Sequence, residues 1–181
     1  NTPDAVRQVL LPPPGGEPIG SGMGRERFYN KAELVILVTN NSVSAFAKAP
    51  YSETTYAIPW TNLTTLVSTN LSFTDQREGK VMKVTQIDVG KIQSWSITNA
   101  SVALAIGATK PVNLIYVADQ RSLASGQLPA VRLFNGKTLP DRGLTVATPN
   151  PLYVKGHYNQ PTDAHLGTKT TTSTKPAALA E

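Results

Sequence analysis

The 181-residue chain carries 17 basic and 12 acidic side chains, a formal charge of +5, and no cysteine, which excludes disulfides, thiolate metal sites and thiol catalysis together while leaving the redox compartment open. Its basic residues are spread along the chain and interleaved with acids, as in Arg25-Glu26-Arg27, a pattern that points away from the concentrated footprint of a nucleic-acid binder. With only 16% charged residues and abundant Ser, Thr, Asn, Gly and Pro, the composition suits strands joined by polar turns, and the expected fold is mainly β with short helices, an α+β arrangement around one core.

Ala5 to Leu11 places Val6, Val9 and Leu10 at helical spacing, and Pro12, Pro13 and Pro14 then stop the helix because proline lacks the N–H and fixes φ. Pro12 to Gly24 reads as a Pro/Gly linker or ordered loop. Its Gly20, Gly22 and Gly24 mimic a phosphate-binding loop, but no strand precedes them and no Gly-Lys-Ser/Thr follows. Ala32 to Thr39 (AELVILVT) is a continuous apolar run, the pattern of a strand buried on both faces, with Asn40-Asn41 as the turn and Val43 to Ala47 as its hairpin partner.

Thr54 to Trp60 adds a strand. Thr61 to Leu71 carries Leu63, Leu66, Val67 and Leu71 near helical spacing, which predicts a helix with Thr61 as N-cap. Phe73 to Lys83 turns around Gly79 into a strand near Val81 to Thr85, and Ile87 to Trp95 reads as a short helix with Asp88 assisting its first turn. Asn99 to Gly107 fits either a helix or a strand.

Four short apolar runs follow: Asn113 to Ala118, Ala130 to Phe134, Leu144 to Thr148 and Leu152 to Lys155. Their β-branched and aromatic content, broken by Asn-Gly, Gly and Pro, predicts stacked strands in a partial β-solenoid-like or stacked-sheet C-terminal half. Asn135-Gly136 and Gly156 would make its tight corners, and Val131, Leu133, Leu152 and Val154 alternate as its core-facing set. The expected organisation is a short helix and Pro/Gly linker over 1–24, a single β-rich domain with two short helices over 25–160, and a polar loop and truncated end over 161–181. No apolar run approaches the roughly 20 residues that span a bilayer. The opening on Asn1 and the close on KPAALAE suggest an internal piece of a longer protein, with any export signal or anchor outside it.

Three constellations have chemical potential. The two histidines, His157 and His165, with Asp163 beside the second, would allow a serine hydrolase arithmetically, yet no G-x-S-x-G elbow is present and the plainer reading is a polar loop. Asp75, Glu78 and Asp88, gathered by the Gly79 turn, would form a hard-cation or acid/base site; the plainer reading pairs them with Arg77 and Lys80. Tyr153, Tyr158 and Trp60 are candidate stacking platforms for a glycan or peptide, although aromatics more often fill strands. Asn40, Asn62, Asn70 and Asn99 begin N-x-Ser/Thr sequons, which carry glycans only in a eukaryotic secreted protein. Nothing in the chain calls for a cofactor.

Arg25 to Val38 (RERFYNKAELVILV), Phe73 to Trp95 (FTDQREGKVMKVTQIDVGKIQSW) and Ala130 to Asn159 (AVRLFNGKTLPDRGLTVATPNPLYVKGHYN) resemble, in this order, large bacterial envelope proteins of Verrucomicrobia and related phyla. Those are described as uncharacterised or as pilus-assembly-like proteins of the PilX type with an N-terminal prepilin-like membrane segment. The resemblance covers about half of the chain, and NPLYVKGHYN is its most specific part. It implies an exported, non-enzymatic component of a type IV pilus or type II secretion-like system, located outside the cytoplasm, whose partners are other envelope subunits or further copies of itself. Family members continue past the equivalent of Lys175 to Ala180 into another apolar strand, and they lend no catalytic residues to this chain.

Overall fold

In the computed structural model, which describes residues 3–160, the chain begins with an amphipathic helix, α1 (Pro3–Leu10), and two helical turns, α2 (Gly22–Glu26) and α3 (Phe28–Lys31). The strands β1 (Leu34–Val38), β2 (Val43–Ala47) and β3 (Tyr56–Ile58) follow, then the turn α4 (Trp60–Leu63) and the long hairpin β4 (Val67–Asp75) and β5 (Lys80–Asp88). A 3-10 turn (Val89–Lys91) leads into α5 (Ile92–Thr98) and α6 (Ala100–Ile106), and the chain ends in β6 (Leu114–Asp119), β7 (Gln127–Gly136), β8 (Thr145–Ala147) and β9 (Leu152–Tyr158).

The fold is mixed α/β, with two mixed sheets and few short helices. The first sheet has the order β3-β2-β1-β6-β8 and the second β4-β5-β7-β9. Hairpins make the antiparallel pairs β1/β2, β2/β3 and β4/β5. The remaining pairs, β1/β6, β6/β8, β5/β7 and β7/β9, are all parallel. Successive strands from β6 onward alternate between the sheets, so each connection passes from one sheet to the other rather than along one of them.

The main core lies between the sheets. Leu34, Ile36 and Val38 from β1 and Ile115 and Val117 from β6 meet Ile87, Val131 and Leu133 from the second sheet, while Leu63, Ile92 and Val102 close it from the helices. The other face of the first sheet is covered too: Val35, Tyr116 and Ala118 pack under Leu10 of α1. That double burial accounts for the unbroken apolar runs of β1 and β6. The last turn of α1 is capped from a distance, because Tyr116 Oη donates to Leu10 O at 2.7 Å and the Arg27 guanidinium donates to the carbonyls of Gln8 and Leu11 while pairing with Glu17. Burial pushes the Tyr116 phenol well above its ordinary range.

Five expectations are corrected. The helix predicted over Thr61 to Leu71 is only the single turn α4, after which the chain extends into β4. Thr64 and Thr65 turn their hydroxyls onto the carbonyls of Thr61 and Asn62, the local competition that weakens a helix interior. The loop predicted through Gly24 is helical from Gly22, with Ser21 Oγ accepting from Gly24 N at 2.9 Å as an N-cap. Ile87 and Asp88 belong to β5, so helix begins only beyond them. Residues 25–160 hold more than two helical segments, because Asn99 to Gly107 resolves as α6, capped by the Asn99 side chain on Val102 N and ended by Gly107 at φ 103°. Asn135 and Gly156 do take positive φ, at 54° and 83°. They lie inside β7 and β9, where the ladder shifts register between Phe134 and Gly136, not at corners between strands.

Candidate functional site

The outer face of the second sheet is roofed by its own edge strands. Phe73 from β4 and Tyr153 from β9 reach across β5 and β7 and meet edge to face, with ring centroids 4.8 Å apart, above Met82, Val84 and Ala130. Tyr153 Oη donates to Asp75 Oδ2 at 2.7 Å, and Asp75 also accepts from the Arg77 guanidinium and from the backbone N–H groups of Arg77 and Glu78. The Tyr153 hydrogen bond, followed by that from Arg77, holds the Asp75 carboxyl well below the usual range. Burial, and then the bond to Asp75, pushes Tyr153 up to about 12. The Tyr153 ring is therefore a clamp between strands.

The three acids do not converge. Asp75 and Asp88 lie at opposite ends of the paired region of β5: Asp75 faces Lys80, while Asp88 receives Asn135 Nδ2 at 2.8 Å and pairs with Lys91 at 3.6 Å. Arg77, not Lys80, is the cation on Asp75. Among the described residues no group of three or more His, Asp or Glu side chains is placed to hold a metal ion. His157 lies exposed on β9 and has no hydrogen-bond or ion-pair partner among the described residues. Asp163 and His165 lie outside the described residues. Tyr158 is packed against Gly136 so closely that a Cβ there would come within 2.5 Å of its Cδ2. Asn99 is buried and engaged as a cap, so its sequon offers no acceptor surface.

Two outward-facing features involve these sheets. One is the edge strand β9, where Val154 is 51% exposed and residues 154–157 are all exposed. Val131 N donates to Pro151 O at 2.9 Å, and Val131 pairs with Leu152. In a parallel ladder this alternation turns the N–H and C=O groups of Pro151, Tyr153 and Lys155 toward β7, where proline has only its carbonyl to offer, and those of Leu152 and Val154 away from it.

The other is a cleft of about 620 Å³ between the β1/β2 turn, Trp60 at the start of α4, and Thr69 and Asn70 of β4, with Arg121 as its floor. Trp60 is 39% exposed there. A β-bulge between Ser68 and Leu71 takes Thr69 and Asn70 out of register, and Arg121 Nη1 donates to the Thr69 carbonyl at 2.9 Å. The same guanidinium holds both oxygens of the buried Asp119 and the Lys83 carbonyl. Asp119 Oδ2 accepts from Thr85 Oγ1 at 2.7 Å, and the Asn150 side chain bonds both backbone groups of Asp119. This network ties the end of β6 to the second sheet. Its members are far apart in sequence and carry no motif, so sequence reading missed it; Asn150-Pro151 and Asp119-Gln120-Arg121 offered only turn chemistry.

Among the described residues, no helix is long and apolar enough to cross a membrane. Compared with protein-family models, with curated proteins and with solved structures, the chain matches none.

Proposed function

We propose that the chain is a non-enzymatic, extracytoplasmic assembly domain of a type IV pilus or type II secretion-like envelope protein, and that it joins neighbouring copies by strand addition at β9. The observation that carries this reading is the exposed β9 edge, whose Leu152 and Val154 turn their backbone groups away from β7. An unpaired row of donors and acceptors is a template for a further strand. The parallel ladders support a partial solenoid reading as well: β1 and β5, β6 and β7, β8 and β9 read as three successive coils, each giving one strand to each sheet, with β9 closing the last. The envelope placement rests on the resemblance of the segments around β1, β5 and β7 to β9.

Sedimentation velocity at rising concentration tests the reading, with Val154→Pro as the contrast. Proline removes an outward N–H and is tolerated on edge strands, so the variant should keep its circular dichroism and lose the concentration-dependent association of the parent chain. A parent chain that stays strictly monomeric and captures no envelope subunit would overturn it.

A further inference from the structure

We propose that the cleft beside Trp60 binds a short neutral glycan. The proposal stands apart from the assembly reading, since the cleft is built by β1, β2, α4 and β4 and does not involve β9.

Three properties of the cleft select this ligand class. First, it has an aromatic wall: the Trp60 indole, at the first position of α4 and 39% exposed, is a large apolar ring left facing a polar cleft. A pyranose offers such a ring its C–H face, and the indole N–H, without a partner among the described residues, is a spare donor at its rim. Second, the cleft carries no uncompensated charge. Arg121 is its one ionic group; both oxygens of Asp119 neutralise it, and the carbonyls of Thr69 and Lys83 take two more of its five N–H donors. An anionic ligand would meet a guanidinium whose charge Asp119 already neutralises, and a cation would meet no carboxylate among the lining residues. Third, the remaining polar side chains are neutral amides and hydroxyls on fixed backbone. The turn carrying Asn41 is pinned by Thr39 Oγ1 accepting from Ser42 N at 3.1 Å, and by Asn40, whose side chain makes two bonds to Ser122, at 2.9 and 2.7 Å. The bulge that presents Asn70 is pinned by Arg121. The Asn41 side chain and the Asn70 amide N–H groups stay available, and amides both donate to and accept from sugar hydroxyls. A prebuilt neutral site of this kind loses little side-chain entropy on binding.

Titration calorimetry with cellotriose and chitotriose, and with trigalacturonate as the anionic contrast, tests this on the intact chain. One of the neutral sugars should bind, with little response to salt. Trp60→Ala should weaken that binding by about tenfold or more, Trp60→Phe should retain much of it, and Asn70→Ala should weaken it by a smaller factor. Asn70 is exposed, so its variant reports on the cleft even where Trp60→Ala disturbs folding. Failure of both neutral sugars to bind, tighter and salt-sensitive binding of trigalacturonate, or unaltered affinity in Asn70→Ala together with a folded Trp60→Ala would each overturn the proposal.

Discussion

Val117 in β6 and Val154 in β9 are the same residue type in parallel strands, yet the first is fully buried and the second is 51% exposed. Their difference comes from position in the sheets. β6 lies between β1 and β8, with the core on one face and the α1 side on the other, whereas β9, among the described residues, has a neighbour on one side only. Leu133, opposite Val154 in the ladder, is fully buried. The protection of a strand therefore falls away within one step of an edge, and stability and surface availability are distributed accordingly.

Truncation should break the comparison most visibly at Leu133. Leu133→Ala opens a cavity between the sheets and should cost about 2 to 5 kcal/mol, read as a lower urea midpoint with an unchanged slope. A loss below 1 kcal/mol, on the order of a surface substitution, would mean that β7 is not core.

Next comes the bridge between the sheets. Asp119→Ala leaves the largely buried Arg121 without its carboxylate and should cost about 3 kcal/mol or more. Thermal unfolding checks it, and a melting temperature equal to the parent's would show that the network is dispensable.

Lys48 sharpens the comparison from inside the protected sheet. It follows β2, is 2% exposed, and spends its ammonium on one carbonyl, donating to Asn30 O at 2.7 Å. Burial lowers its pKa from 10.5 to about 8. Between those values the unfolded chain holds more protons, so the Lys48 contribution to stability rises as pH climbs from about 8 toward 10.5, and below 8 the burial penalty is constant. Lys48→Met should therefore be more stable at neutral pH, by about 1 to 3 kcal/mol, and should flatten that rise. Asn30 O keeps the Tyr51 N–H as a donor, so the substitution leaves no orphan acceptor. Urea midpoints at neutral and alkaline pH measure both effects; a destabilised variant with the parent's pH slope would refute the assignment.

The smallest effect is expected at the edge. Val154→Ala should shift the urea midpoint by less than about 0.5 kcal/mol equivalent. A loss matching that of Leu133→Ala would show that β9 is protected after all.

What was legible in the sequence was local. β1, β6, β7 and β9 announce themselves because strands buried on at least one face collect β-branched and aromatic residues, and the Gly79 turn announces the β4/β5 hairpin, with φ 61° at the glycine. Leu63, Leu66 and Val67 are buried. Their spacing misled because a helical turn entering a strand can bury the same positions, and Leu71, the fourth member of the pattern, is 36% exposed. At β9 the period-two pattern identified the strand but could not tell that Val154 would meet water, since nothing local states whether another strand lies beyond. The Trp60 cleft was visible only as an aromatic residue. Its amides and its neutralised arginine come from three separate parts of the chain.

The parallel ladders also set the order in which the molecule can assemble. Leu34 pairs with Ile115 and Val81 with Gln127, so β1 and β5 wait for partners far along the chain, while the β1/β2 and β4/β5 hairpins close locally. Loop closure over such spans slows folding. During synthesis the β1 and β5 edges would stand exposed until β6 and β7 emerge, and a chain stopped after Ile106 would hold three strands of the first sheet and two of the second, each ending in an unpaired edge. The last third supplies the parallel strands that close both of those edges.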